Sequence, residues 1–582
     1  MMFKALACDF DGTLASEDRI GPAALEALAR ARHAGLKVIL VTGRTFFELT
    51  RVCEQLDLFD AVVAENGAVL YFPQETMIRD QGPPPPARLL SELDERGIYY
   101  QIGRVIVGTA RADERRVREA LEVAGVSLDL VYNRAALMLV PAGIGKGKGV
   151  ERVLRSLGLS FQDTLALGDA ENDLALFDAC AWAACPENAV PEVKARADWV
   201  FSGENGESVA AAITGPIIHG LLSARHSPRH RIAVGWVVET SEPATIPARD
   251  VNVLIHGDPL SGKSWLVGAL IERLLAAYYA VCVLDPEGDY GMLAGLPGVT
   301  WAEVCDRGAL DRVLAQFRRD AAACVVVDLS ALPHPQKLEM IRAALQWIRD
   351  SRRRSGLPHW VFLDEAHYSL HREGVADEVI GIEDKGFCLA TYRPSWLKDS
   401  VMKALDVFIL ARATVDDELG LLRSRLSHVG PVAEGPLAVL PRLPAGEFLM
   451  VDPEGQEPAL TFVAAPRETT HVRHLTKYAD SCVPFGERFL FRRPDGHVVA
   501  DAQSLQDFRR VVASVEDGVL AHHAGRGDFS RWVLEVFSDR ELARQLKKTE
   551  ARWRRGEIPD LRLAVDRLII FRYGTDASCL AR

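Results

Sequence analysis

Two short runs of this sequence place reactive residue types at spacings that support chemistry. The first is Asp9-Phe10-Asp11-Gly12-Thr13. Side chains alternate along a strand, so two carboxylates two positions apart at a strand's end point the same way. That layout suits a nucleophile and a neighbouring acid/base sharing one Mg²⁺. The second is Gly257-Asp258-Pro259-Leu260-Ser261-Gly262-Lys263-Ser264, a G-x-x-x-x-G-K-[ST] spacing. Its glycines let backbone N–H groups curl around phosphates, aided by the positive end of a following helix. Lys263 would reach the β- and γ-phosphates of ATP, and Ser264 would hold Mg²⁺.

Each run needs a strand to deliver it. Phe3 to Cys8 reads as a buried strand that ends at Asp9. Val251 to Ile255 is an apolar, β-branched run before the glycine loop, and Trp265 to Ala277 reads as the helix after it. Val38 to Val41 ends in Thr42-Gly43-Arg44, and Leu165-Ala166-Leu167 runs into Gly168-Asp169-Ala170-Glu171-Asn172-Asp173. Further on, Trp360 to Leu363 leads into Asp364-Glu365-Ala366-His367. Behind a phosphate loop, Asp364 would orient Mg²⁺ and its water, and Glu365 would polarise the attacking water.

The N-terminal third resembles the haloacid dehalogenase-like (HAD) phosphohydrolases of the Cof-like branch. Asp9-x-Asp11-Gly12-Thr13, Thr42-Gly43-Arg44, the lysine run at Lys146 and Gly168-Asp169-x-x-Asn172-Asp173 stand in that family's order, and Ala64 to Ala68 also fits the branch. The resemblance implies that Asp9 attacks phosphorus and that Asp11 protonates the leaving group and then activates water. It implies that Thr42 bonds the phosphoryl group, that Asp169 binds Mg²⁺ and that Asn172 and Asp173 support the metal or the lysine. Lys148 competes with Lys146 for the lysine role. The distance from Lys146 to Leu157-Gly158-Leu159 favours Lys146. A short cap over about 79–139 is expected to read helix, two strands, helix, strand, and to suit a small phosphorylated metabolite.

Residues 231–465 resemble the HerA-like division of P-loop ATPases. Asp285-Pro286-Glu287-Gly288-Asp289-Tyr290, Asp364 to His367 and Leu389 to Ser395 carry the likeness. The resemblance implies ATP binding and hydrolysis, a hexameric ring and DNA as a partner. Tyr392 stands where that family has a glutamine sensor, which puts the coupling of hydrolysis to movement in doubt.

The 582 residues exceed one core, so several domains are expected. The fold class is α/β. A HAD Rossmann-like domain with an inserted α+β cap spans 1–215, and a linker spans 216–230. A RecA-like P-loop domain spans 231–465, and a small α+β domain spans 466–582. In the last, His523, Asp528, Phe529, Ser530 and Trp532 sit in a His-x-x-x-x-Asp-Phe-Ser-x-Trp run, read as a helix cap and core. Net charge is −12, so no overall attraction to nucleic acid is expected, and Arg349 with Arg352 to Arg354 is the one local basic cluster. Ten scattered cysteines without a C-x-x-C pair suggest reduced thiols in a cytoplasmic protein. Asp9 and Asp11 interrupt any leader-like run, and no membrane span is expected.

Overall fold

The computed structural model describes residues 3–222, 230–259, 261–332, 334–371, 374–426, 435–469, 483, 485–537 and 539–573. Part of the expected linker, 223–229, and loop residue Leu260 lie outside the described residues.

Apolar runs short enough for strands and separated by helices give a parallel sheet in the N-terminal third. Its order is Trp199–Phe201, Trp182–Pro186, Thr164–Leu167, Ala5–Asp9, Lys37–Val41, Ala61–Ala64, Val69–Phe72, Met77–Asp80. The first six run parallel, and the last two extend the sheet antiparallel. Asp9, Thr42 and Asp169 therefore leave neighbouring strands at the same edge, where ligands bind in open α/β sheets.

The cap is an antiparallel sheet, ordered Asp129–Asn133, Ala136–Val140, Val107–Ala110, Tyr100–Ile102, with helices Ala87–Glu95 and Glu114–Ala124. The single last strand expected from the sequence is a hairpin, Asp129–Asn133 paired with Ala136–Val140. Its turn residue, Arg134, takes a φ of 50°, which the alternation of apolar residues does not signal.

Residues 231–464 build an eleven-stranded sheet. The strand Val253–His256, which carries the glycine loop, lies between Val407–Leu410 and Phe387–Thr391. Trp360–Leu363 pairs with the far side of Phe387–Thr391, so one strand separates the glycine loop from Asp364. Beyond it, the hairpin Phe489–Arg492/Val498–Ala502 packs with helices between Leu505 and Tyr573 around Phe489, Phe508, Phe529 and Trp532.

The two large sheets meet at the starting ends of their strands. Asp163, just before Thr164–Leu167, is fully buried, 2.8 Å from Arg249 and 3.0 Å from His359 Nε2. His359 precedes Trp360–Leu363, and its Nδ1 accepts the N–H of Ala280, just before Val281–Asp285. Gly356 holds a φ of +81°, and a Cβ there would stand 2.6 Å from the Asp163 carboxylate. Gln162 Nε2 donates to the Ala277 carbonyl, and Lys4 Nζ to the Arg353 carbonyl.

Arg352 of the basic cluster is spent on structure, donating to the carbonyls of Pro358, His359, Lys385 and Gly386. The described cysteines are free thiols, all buried except Cys305. Among the described residues, no helix is long and apolar enough to cross a membrane.

Candidate active site

Burial without water makes charge the governing quantity at the end of the first sheet. Asp9, Asp169 and Asp173 are buried, and one carboxylate oxygen from each lies within 4.8 Å of the others. Lys146, at the start of helix Lys146–Leu157, is 2% exposed, and its ammonium bonds Asp9 Oδ1 at 2.5 Å and Asp173 Oδ1 at 2.7 Å. Burial disfavours that ammonium, but the pull of Asp173 and Asp9 outweighs it and holds the amine above its usual range. Lys148 faces outward and pairs with Glu151 at 2.9 Å, so the geometry separates the two lysines.

Three carboxylates around one ammonium leave negative charge unbalanced. Burial, then Asp173, push the Asp9 carboxyl well up, against the opposing pull of Lys146. Asp169 is pushed up to about 6 by burial and by Asp173, against Arg134 and Lys146. An oxygen-ligated dication relieves such a cluster, and the donor set suits Mg²⁺. Asp173 has little left to offer it. Its Oδ1 takes Lys146, and its Oδ2 accepts the N–H groups of Asp169 and Ala170. Asp9 and Asp169 have more to offer: Asp9 spends only Oδ1, on Lys146, and Asp169 is met by single donors, Thr13 and the cap's Arg134. Thr13 Oγ1 donates to Asp169 Oδ1 at 3.3 Å, and Gly12, with a φ of +73°, leaves room where a Cβ would stand 2.4 Å from Asp169 Oδ2.

Asp11 lies outside the three-carboxylate group. Its carboxylate is bridged by Arg44, which also reaches Asp18. Thr42 is buried, and its Oγ1 accepts the Arg44 N–H at 3.1 Å. Asn172 is 9% exposed and carries a buried amide with neither end hydrogen-bonded; a Cβ on Gly43 would stand 3.3 Å from its Nδ2. That amide is a polar group awaiting a partner beside Thr42.

Sequence reasoning passed over Glu65 and Arg134. Glu65, with a φ of 52°, is fully buried and seats the cap on the core. Its Oε1 accepts the N–H groups of Phe46 and Arg104, and its Oε2 those of Val105 and Ile106. Its place in Ala64 to Ala68 is visible in the sequence, but its cap partners lie 39 to 41 residues on. Arg134, at the cap hairpin turn, donates to Asp169, and its backbone N–H donates to Glu171 at 3.2 Å.

In the second sheet, Lys263 Nζ bonds the carbonyls of Gly257 and Asp258 at 2.7 and 2.9 Å, folded onto its own loop. Gly262 holds a φ of 103° at the start of helix Lys263–Ala276. Ser264 Oγ stands 3.4 Å from Asp289 Oδ2. Asp364 and Glu365 are buried at the end of the next strand but one, Glu365 with a φ of 47°. Asp285 is pushed up to about 8 by burial and then by Asp289 and Asp364. His367 Nδ1 lies 2.9 Å from Thr391 Oγ1, and its ring packs edge-on against Tyr392. In the C-terminal helices, Asp528 bonds His523 Nδ1 at 2.8 Å and Ser530 donates to Glu550 at 2.6 Å, so neither is the simple cap expected.

A family model for haloacid dehalogenase-like hydrolases matches residues 6–103 and 110–213. A phosphoglycolate phosphatase of Methanothermobacter thermautotrophicus is 34% identical over 222 residues, 36% of this chain and 97% of that protein. One from Archaeoglobus fulgidus is 29% identical over 218 residues, 36% of this chain and 95% of that protein. A solved haloacid dehalogenase-like hydrolase of Bacteroides thetaiotaomicron covers 36% of this chain and 98% of its own, with 20% identity and a TM-score of 0.33.

Proposed function

We propose that this chain, which through residues 6–213 belongs to the haloacid dehalogenase-like hydrolases, is a Mg²⁺-dependent phosphatase of a small phosphoester. The observation that carries the reading is the Lys146 ammonium held between Asp9 and Asp173, with Asp169 beside them. Asp9 attacks phosphorus and carries the phosphoryl group as an acyl phosphate. Lys146, Thr42 and the Asn172 amide bind its oxygens. Asp11, released from Arg44, gives a proton to the leaving alcohol and then takes one from water. Asp9 and Asp169 would hold Mg²⁺, which when bound neutralises charge on the phosphoryl group. Relatives named phosphoglycolate phosphatase support a short phosphorylated hydroxy acid as substrate. Phosphate release from such esters, measured for wild type and Asp9→Asn, tests this: full release by the variant would sink it.

The second sheet favours a further activity. Gly257 and Gly262 precede helix Lys263–Ala276, whose first two residues are Lys263 and Ser264, and one strand separates their strand from the one that ends at Asp364 and Glu365. We propose that this unit binds and hydrolyses ATP with Mg²⁺ on Ser264. ATP turnover unchanged in Lys263→Ala would remove that reading. A ring assembly and DNA engagement belong to the HerA-like resemblance, and sedimentation with and without DNA tests them.

A further inference from the structure

The groups that would face the phosphoryl oxygens all come from the core: Asp9, Thr42, Lys146 and Asn172. Arg134 is different. It comes from the cap, at the tip of the Asp129–Asn133/Ala136–Val140 hairpin, and its guanidinium reaches Asp169. Asp169's side chain is 1% exposed, whereas that of Arg134 is 52% exposed, so the arginine reaches a buried carboxylate from an open mouth. Its φ of 50° is uncommon for a residue with a side chain, and such strain gathers where a side chain must be aimed. The turn is held: the Arg134 N–H bonds Glu171, and the Arg134 carbonyl accepts from Arg111.

Other cap arginines are committed elsewhere, Arg104 to Asp80, Arg116 to Asp113 and Arg118 to Glu114. Arg44, on the core, is shared between Asp11 and Asp18. A dication held by Asp9 and Asp169 would take up that carboxylate's charge, which would leave the Arg134 guanidinium to face whatever else enters the mouth.

We propose that Arg134 determines specificity, its guanidinium pairing with a second anionic group on the leaving alcohol, such as the carboxylate of a phosphorylated hydroxy acid. This rests on the phosphatase reading above. A guanidinium–carboxylate pair is bidentate and directional, so it discriminates against esters that lack the second anion.

The test compares 2-phosphoglycolate with ethyl phosphate, which offers the same phosphoryl group and no second anion. Arg134→Asn is the variant of choice, because asparagine tolerates the left-handed backbone; Arg134→Lys keeps the charge. KM for 2-phosphoglycolate should rise about ten- to a hundredfold in Arg134→Asn, with the lysine variant in between, and should rise at least tenfold more than KM for ethyl phosphate. Calorimetric binding of both esters to Asp9→Asn, with and without Arg134→Asn, should show the same preference without turnover. Equal losses for both esters, or no loss for either, would overturn the proposal. If wild type hydrolyses neither ester but the Arg134-dependent binding preference persists, the phosphatase reading falls and the role of Arg134 stands.

Discussion

Lys146 is among the most deeply buried charges in the molecule, and helix Lys146–Leu157 begins at it, so its place between Asp9 and Asp173 is set by the backbone. Breaking a buried pair by removing one partner costs about 3–5 kcal/mol, because the remaining charge is left unpaired. Lys146→Met therefore leaves Asp9 and Asp173 repelling each other. The variant should melt well below wild type and recover part of the loss in Mg²⁺. Its kcat should fall about 10²–10³-fold, the usual effect of removing one preorganised charge-stabilising donor. Lys148→Met removes only an exposed pair with Glu151 and should leave both quantities near wild type. Thermal melts and initial rates on the two variants check this. The sequence made these residues legible because the chemistry demands particular types at strand ends. It left Arg134 and Thr13 unassigned because their roles depend on where the cap and a neighbouring loop come to rest.

At the scale of elements, the cap–core junction is organised by one carboxylate. Glu65 accepts N–H groups from Phe46 on the core and from Arg104, Val105 and Ile106 at the base of the cap. Glu65→Gln keeps the shape but turns an amide N–H₂ toward N–H donors, so at least one buried donor loses its acceptor, at about 1–3 kcal/mol. Hydrogen exchange should show faster opening at 103–106, together with a lower melting temperature and an intact Asp9–Lys146 pair. Unchanged exchange there would mean the cap is seated by its apolar contacts instead. The sequence shows the cap's helices clearly, since their apolar residues recur at helical spacing. It hides the last hairpin, because Leu130-Val131-Tyr132 and Ala136 to Val140 are apolar runs parted by only a two-residue turn.

For the whole molecule, the decisive feature is the Asp163–Arg249–His359 clasp, which no local pattern announces because its members are 86 and 196 residues apart. It ties the starting ends of the strands that lead to Asp169 and Asp364, while both candidate sites lie at the opposite ends. At about 3.3 Å per residue, each candidate site lies roughly 15–20 Å from the clasp along its own strand. Burial raises the Asp163 carboxyl, but His359 and Arg249 outweigh it and hold it below its usual value. Burial keeps the His359 imidazole lowered and therefore neutral near pH 7, so Arg249 is the cation of the pair and His359 a donor. Wild type should unfold in one calorimetric transition. Asp163→Asn leaves Arg249 buried without its anion, costing about 3–5 kcal/mol, and should resolve two transitions, with nucleotide shifting only one of them. The Asp163 pKa is depressed on folding, so its contribution is complete above the unfolded value of about 4 and is lost as pH falls below it. The gap in melting temperature between wild type and Asp163→Asn should accordingly hold from pH 8 to 5 and close as the solution is acidified further, when a protonated Asp163 becomes the equivalent of the asparagine. A gap that stays constant through that acid range would mean the clasp acts by shape and packing, with its charge playing no part.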